Sequence, residues 1–221
     1  MKFIDLCCGI GGFHQALSNM DMKCVMASDI DKNCIENYEK NYNIKPRGDL
    51  TKIEIQSIPK FDILCAGFPC QPFSKAGQQN GFDDDKRGNI FFDICKIIEY
   101  HKPKYIILEN VRNLGSHDKG NTWQVIKHKI DSLNYYTYDT PLILNTLYFG
   151  VPQSRERIVI LCKRKDLGCL PKRPTISKSN IKKTELKNII ENNFNKKYKI
   201  NSKKKITEQV WNKFLKILNK N

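Results

Sequence analysis

Residues 62–74 read Asp-Ile-Leu-Cys-Ala-Gly-Phe-Pro-Cys-Gln-Pro-Phe-Ser, a short apolar run followed by a turn. The apolar residues 63–66 are typical of a buried parallel strand, and Gly67 and Pro69 end it. Cys70 comes just after the strand end, where open α/β sheets collect ligands and chemistry. Cys70 is therefore a candidate nucleophile. Taken alone, it is more readily interpreted as a small buried hydrophobic residue, as most free cysteines are.

The N-terminal stretch predicts a strand, a glycine turn and a helix. Residues 2–6 are the strand, residues 7–13 read Cys-Cys-Gly-Ile-Gly-Gly-Phe, and the helix runs through Asn19. Glycines let a ligand approach the backbone closely, and a helix N-terminus offers free N–H groups. A tight strand–helix turn without a ligand would use the same residues.

A second strand is predicted over residues 23–28, and acids follow it. Asp29 stands 20 residues after Gly9, close to the spacing at which an acid at a strand end binds ribose hydroxyls. Either Asp29 or Asp31 could instead cap the helix predicted over residues 32–42. We expect Asp29 to be the ribose ligand and Asp31 the cap.

Two further segments supply candidate catalytic side chains. Residues 104–111 read as a buried strand with Glu109 near its far end. An acid there should be desolvated, which suits a general acid or a donor to a ring nitrogen; the alternative is a surface acid. Arg155 and Arg157 precede a strand over residues 158–162. Being two apart, they should point to one side and hold a phosphate or carbonyl oxygen, or else form surface ion pairs.

The segments between these motifs have simpler interpretations. The polar, glycine-bearing residues 71–88 suit a mobile lid beside the candidate nucleophile. Helices are predicted over residues 89–101 and 121–133, and a strand over 134–144. Asp49 is expected at another strand end, where it can accept a hydrogen bond from an adenine amino group.

Charge and cysteine usage bound the class of protein. The 221 residues carry 38 Lys+Arg and 23 Asp+Glu, a net charge of +15, and residues 163–221 hold +14 of it. This suggests a nucleic-acid partner, or a solvated Lys/Asn-rich segment. Nine cysteines without Cys-x-x-Cys spacing indicate reduced thiols, an intracellular setting and no structural zinc. No signal peptide and no apolar run long enough to cross a membrane is visible.

The composition changes near residue 163, where Pro171 and Pro174 break regular structure. Two amphipathic pieces follow, over residues 183–193 and 206–219. An apolar stripe on such a helix normally packs on its own domain, although docking to a partner fits equally.

Five motifs together carry a family resemblance. They are Asp-Leu-Cys-Cys-Gly-Ile-Gly-Gly-Phe, Asp29, Gly-Phe-Pro-Cys-Gln-Pro-Phe-Ser, Glu-Asn-Val and Gln-Ser-Arg-Glu-Arg. In this order and spacing, over about residues 1–165, the chain resembles the cytosine-C5 DNA methyltransferases. The Pro-Cys-Gln and Glu-Asn-Val motifs are specific to that family.

The resemblance implies a Rossmann-like α/β fold, with a mostly parallel sheet and helices on both faces. It implies S-adenosylmethionine as the cofactor, with S-adenosylhomocysteine as its product. Asp29 would take the ribose, Ile30 would pack on the adenine, and Asp49 would meet the adenine edge. The implied cofactor-binding residues are Cys7, Gly9, Gly11, Gly12, Phe13, Asp29, Ile30, Asp49, Leu50, Gly67, Pro69, Asn89 and Ile90.

The resemblance also implies the reaction. Cys70 would add to C6 of a flipped cytosine, and Glu109 would stabilise the adduct at N3. Arg157, with Arg155, would steady the base or the adjacent backbone and favour the Cys70 thiolate. The expected function is DNA (cytosine-5-)-methylation, in a bacterial cytoplasm or a virus-infected host cell, within restriction-modification or another role.

Two departures from the family pattern qualify these expectations. Cys7 stands where the family usually has an aromatic residue, so cofactor affinity should be lower. The family continues with a target-recognition region and a C-terminal segment, so residues 1–165 are expected to be the catalytic domain. Residues 166–221 would be a basic, partly helical start of a truncated or split recognition region, which a second polypeptide would complete. Three explanations fit the missing segments: a second polypeptide supplies them, the chain is a truncated and inactive relic, or it is a minimal enzyme of relaxed specificity.

Two other functions remain open. The chain could be a catalytically incomplete remnant that binds DNA or the cofactor and acts by occupancy. It could also be a tRNA cytosine-C5 methyltransferase, which is less favoured because no Cys-Phe-Thr stretch follows Glu-Asn-Val.

Overall fold

The computed structural model describes residues 1–69, 90–175 and 184–185. The described strands are β1 (Lys2–Leu6), β2 (Lys23–Ser28), β3 (Ile63–Gly67), β4 (Tyr105–Val111), β5 (Tyr135–Thr137), β6 (Leu142–Asn145) and β7 (Glu156–Arg164). The described helices are α1 (Gly12–Ser18), α2 (Lys32–Tyr42), α3 (Ile90–His101) and α4 (Asn121–Ser132). The chain divides into two compact units, Met1–Lys183 and Thr184–Asn221. The boundary predicted at residue 165 stays a prediction.

The strands form one mixed sheet in the order β2-β1-β3-β4-β7-β5, with β6 also paired to β7. Strands β2, β1, β3 and β4 run parallel, so their carboxyl ends meet at one edge. Strand β7 is antiparallel to β4 and starts at that same edge, with Arg157 opposite Val111. The predicted α/β fold is confirmed.

Apolar side chains on both faces of the sheet explain why helices cover both. On one face Phe3, Cys24 and Cys65 pack with Leu17 of α1. On the other, Ile4, Leu64 and Ile106 belong to the main core, together with residues of α3 and α4. Burying both faces is what a parallel sheet requires of its strands.

The local sequence accounts for the helix that follows β2. The Asp31 side chain accepts the backbone N–H groups of Asn33 (2.7 Å) and Cys34 (3.0 Å), which confirms it as the N-cap of α2. These bonds hold the pKa of the Asp31 carboxyl below its usual value.

Three predictions of secondary structure differ from the structure. The strand expected over residues 134–144 is two strands, β5 and β6, which pair with opposite halves of β7. Between them Asp139 accepts a hydrogen bond from Trp123 at 2.9 Å, and Pro141 has no N–H for a ladder. Strand β7 is longer than the expected 158–162. Asp49 lies not at a strand end but at the cap of a short 3₁₀ turn, Leu50–Lys52.

Several predictions fall outside the described residues. They include the lid over residues 71–88 and nearly all of the two amphipathic pieces and the basic segment. Within residues 1–69, 90–175 and 184–185, no helix has the length and apolar character needed to cross a membrane.

Candidate active site at the carboxyl edge of the sheet

The turn after β1 is held at its first glycine by Asp29. The Gly9 backbone N–H donates to Asp29 Oδ2 at 2.8 Å, and the other carboxylate oxygen accepts the Asp31 N–H at 2.9 Å. Cys8 N–H donates to the Ser28 carbonyl at 3.0 Å, so the turn is also tied directly to the end of β2. Asp29, predicted as a ribose ligand, thus also fixes the turn. Each carboxylate oxygen has a second lone pair left for a ligand hydroxyl.

The remaining predicted cofactor residues of this region differ in exposure. Ile30 is 76% exposed, so it offers an apolar surface directly beside Asp29. Leu50 lies in the main core, and Phe13 packs on the cluster around Phe3. Asp49 Oδ1 accepts the backbone N–H (3.0 Å) and hydroxyl (2.8 Å) of Thr51, which lower the pKa of its carboxyl.

Glu109 forms an ion pair with Arg157 across the β4–β7 ladder. Arg157 Nε lies 2.8 Å from Glu109 Oε1, and the Glu109 side chain is 32% exposed. Glu109 is therefore only partly desolvated: the Arg157 guanidinium of β7 lies against its carboxylate, and the rest of the side chain stays accessible to solvent. The pair combines a hydrogen-bonding carboxylate with a fixed positive charge, a charge-assisted arrangement.

Gly67 lies directly opposite Glu109 in the β3–β4 ladder. A Cβ on Gly67 would stand 3.4 Å from Glu109 Oε2 and 3.6 Å from the Cys7 carbonyl oxygen. The missing side chain thus leaves space between the turn after β1 and the Glu109 carboxylate. This gap, about the size of a methyl group, lies between Cys7, a predicted cofactor residue, and Glu109, a predicted catalytic one.

Asn110 is a functional candidate for which the Glu-Asn-Val motif predicted no role. It is 2% exposed; its Nδ2 donates to the Phe68 carbonyl at 2.9 Å, and its Oδ1 accepts the Val111 N–H at 2.8 Å. It therefore holds the backbone two residues before Cys70. A polar amide next to Glu109, near the end of an otherwise apolar strand, was the available signal.

Asn145 is a second residue that was missed. Its Oδ1 accepts the backbone N–H groups of Leu147 (3.0 Å) and Arg155 (3.3 Å), so it ties the end of β6 to the approach to β7. Arg155 itself is exposed, and its side chain has no hydrogen bond or ion pair in the described part of the chain. The structure brings Arg157, and not Arg155, to Glu109.

Cys70 and Asn89 lie outside the described residues, while Pro69 is exposed at the end of the β3 turn and Ile90 opens α3.

The eight cysteines within the described ranges are free thiols. Burial raises the thiol pKa to about 12 for Cys7, Cys95 and Cys162, to about 11 for Cys24, and further for Cys8 and Cys65. These six thiols stay protonated near neutral pH and are poor nucleophiles. No group of His, Cys, Asp and Glu in the described ranges is arranged to hold a metal ion.

Comparison with known proteins relates the chain to one family. The family described as C-5 cytosine-specific DNA methylase matches residues 1–221. The Type II methyltransferase M.HhaI of Haemophilus parahaemolyticus is 48% identical over 168 residues, which are 76% of this chain and 50% of the relative. The Type II methyltransferase M1.ScrFI of Lactococcus lactis subsp. cremoris is 43% identical over 209 residues, 91% of this chain and 51% of the relative. The chain thus spans about half the length of these relatives.

Solved structures agree on the fold. A DNMT2 mutant of Spodoptera frugiperda superposes with a TM-score of 0.69 at 26% identity, covering 89% of this chain and 61% of that one. The methyltransferase EhMeth of Entamoeba histolytica gives a TM-score of 0.63 at 22% identity, covering 91% and 63%.

Proposed function

Because the chain belongs to the C-5 cytosine-specific DNA methylase family, we propose that it is the catalytic portion of a DNA (cytosine-5-)-methyltransferase that uses S-adenosylmethionine. One observation carries the proposal furthest. The Glu109–Arg157 pair stands at the carboxyl edge of the sheet, against Gly67, three residues before Cys70. A nucleophile beside an oriented carboxylate is what addition to a pyrimidine ring needs.

The residues of the β1 and β2 ends fit the cofactor. The half-buried Asp29 carboxylate would bind the ribose hydroxyls, the exposed Ile30 side chain would be covered by the adenine, and the space beside Gly67 would admit the methionine part. The bound cofactor would supply a methyl group activated by its sulfonium. Cys7 offers less surface to the adenine than an aromatic ring, so we expect weaker binding.

The chain's own residues would activate the cytosine. The Cys70 thiolate forms a bond to C6, and the C5–C6 π electrons move to C5, which becomes nucleophilic. Glu109 would pass a proton to N3 as negative charge reaches the ring, and Arg157 would stabilise the Glu109 carboxylate that remains. After methylation, loss of the C5 proton and cleavage of the Cys70–C6 bond restore the aromatic ring.

DNA is the proposed substrate, and the cytosine must leave the helix for Cys70 to reach C6. The excess positive charge of residues 163–221 supports a polyanionic partner. That a second polypeptide supplies target recognition stays a prediction.

Transfer of a labelled methyl group from S-adenosylmethionine tests the proposal. The purified chain is incubated with duplex DNA or tRNA, alone and with the separately expressed half of M.HhaI that it does not match. We expect labelled DNA in at least one arm and none with Glu109→Ala, while Glu99→Ala, a change at an exposed position in the last turn of α3, stays active. Labelling of tRNA alone would support the RNA alternative, and binding of DNA without transfer in any arm would support the remnant.

A further inference from the structure

A cluster of aromatic side chains lies behind the turn after β1, and the proposed mechanism does not use it. Tyr42, the last residue of α2, donates its hydroxyl to the Gly11 carbonyl at 3.1 Å. Its ring fills the space beside Gly11, because a Cβ there would lie 2.2 Å from Tyr42 Cε2. Gly11 also has φ +93°, which favours glycine. The ring and the glycine are therefore matched in shape and in hydrogen bonding.

The Tyr42 ring is itself held from two sides. It stacks on His14, with centroids 3.9 Å apart and planes at 14°, and meets the Tyr38 ring at 4.8 Å and 61°. His14 Nδ1 lies 2.8 Å from the Tyr38 hydroxyl, which donates to Asp5 Oδ2 at 3.3 Å. This chain of contacts connects α1, α2 and β1, so Tyr42 presents its hydroxyl to the turn from a fixed position.

The turn is thus held at both ends by different side chains. Asp29 accepts the Gly9 N–H, and Tyr42 donates to the Gly11 carbonyl, which also accepts the Gln15 N–H at 2.9 Å at the start of α1. Fixing a loop before a ligand arrives removes part of the ordering cost of binding. Packing alone would require the Tyr42 ring but not its hydroxyl.

We propose that Tyr42 is a positioning residue for cofactor binding, which keeps the turn over residues 9–12 in its binding conformation through the hydrogen bond to Gly11. This inference rests on the proposed function, because it takes the turn to be the cofactor's. Tyr42 itself lies behind the turn and does not touch the ligand.

The test compares variants that each remove one hydroxyl. Tyr42→Phe keeps the ring beside Gly11 and loses only the hydrogen bond. Tyr38→Phe loses a hydroxyl of the same cluster that does not contact the turn, and Tyr100→Phe changes a tyrosine that is 56% exposed on α3. Affinity for S-adenosylhomocysteine is measured by calorimetry, affinity for duplex DNA by fluorescence anisotropy, and Tm by circular dichroism.

A neutral hydrogen bond corresponds to roughly a three- to tenfold change in an equilibrium constant. We expect Tyr42→Phe to weaken S-adenosylhomocysteine binding by about this factor, with DNA affinity unchanged. Tyr38→Phe should lower Tm and weaken cofactor binding clearly less than Tyr42→Phe does, and Tyr100→Phe should change neither. In turnover, KM for the cofactor should rise while KM for DNA and kcat stay constant.

Three results would overturn the inference. Equal cofactor affinity in wild type and Tyr42→Phe would show that the hydroxyl does not matter. An equal loss in Tyr38→Phe would show a general loosening of the cluster. A wild-type chain that binds no S-adenosylhomocysteine, either alone or with the unmatched half of M.HhaI, would overturn the proposed function as well, which separates that failure from the other two.

Discussion

Replacing Asp5 with Asn should change how the stability of the domain depends on pH. Asp5 lies on β1 with no exposed surface, and its Oδ1 has no hydrogen-bond partner among the residues that the structure describes. Burial raises its pKa to about 7, although the Tyr38 hydroxyl and the His14 backbone partly oppose this. The folded chain therefore keeps a proton on Asp5 that the unfolded chain releases at a much lower pH.

The magnitude follows from the two pKa values. The unfolded carboxyl titrates near 3.8 and the folded one near 7. Between these values the folded state binds one proton more, so the free energy of unfolding falls as pH rises, by about 1.4 kcal/mol per pH unit. The whole contribution is roughly 4 kcal/mol. This contribution is lost progressively as the pH rises from 3.8 to about 7. Above about pH 7, the free energy of unfolding no longer changes through Asp5.

Urea unfolding followed by circular dichroism measures the effect at pH 5, 6, 7 and 8. Exposed carboxyls such as Asp131, whose pKa is lowered by Lys165, titrate below this range and are present in every variant. Asp5→Asn should therefore gain stability relative to wild type as pH rises, whereas Asp21→Asn, in an exposed turn, should not. Parallel curves for wild type and Asp5→Asn would refute the reasoning.

Three further predictions concern hydrogen bonds to the backbone. Asn110→Ala removes the hydrogen bond to the Phe68 carbonyl, two residues before Cys70. In steady-state kinetics, kcat should fall about tenfold or more while cofactor affinity is unchanged. An unchanged kcat would contradict this. Asn145→Ala should lower the free energy of unfolding by about 1–3 kcal/mol. Asn145→Asp keeps an oxygen that accepts both backbone N–H groups, so it should lower that free energy clearly less. Equal losses in urea unfolding would contradict the role given to the Asn145 oxygen. Asp31→Ala should lower the Tm of the domain through loss of the α2 cap, while Asp31→Asn, which keeps a capping oxygen, should lower it clearly less; identical Tm shifts would disprove the cap.

Much of the fold was predictable because local signals and the tertiary structure agree. Strands β1 and β2 and helix α2 begin and end where the apolar runs and the Asp31 cap predict. The break between β5 and β6 was not predictable, because it depends on where β7 offers partners and on the Trp123 hydrogen bond to Asp139. Neither is visible in a local pattern.

The candidate site was predictable to a smaller extent. Strand ends indicated Asp29 and Glu109, since carboxyl ends of parallel strands converge. The exposure of Glu109 depends on the partner that an antiparallel strand brings, and a spacing of two residues could not distinguish Arg157 from Arg155. The role of Tyr42 depends on a contact between α2 and a turn 31 residues earlier, which no motif records.

Formation of a covalent complex between the chain and a duplex carrying 5-fluorocytosine tests the central claim most directly. Fluorine at C5 prevents the final elimination, so the Cys70–C6 bond should persist and appear as a denaturant-resistant band and an added mass. We predict this product with wild type and S-adenosylmethionine, with the unmatched half of M.HhaI present if the chain needs it, and its absence with Cys70→Ser. No covalent product in either arm, or an equal yield with Cys70→Ser, would contradict the account.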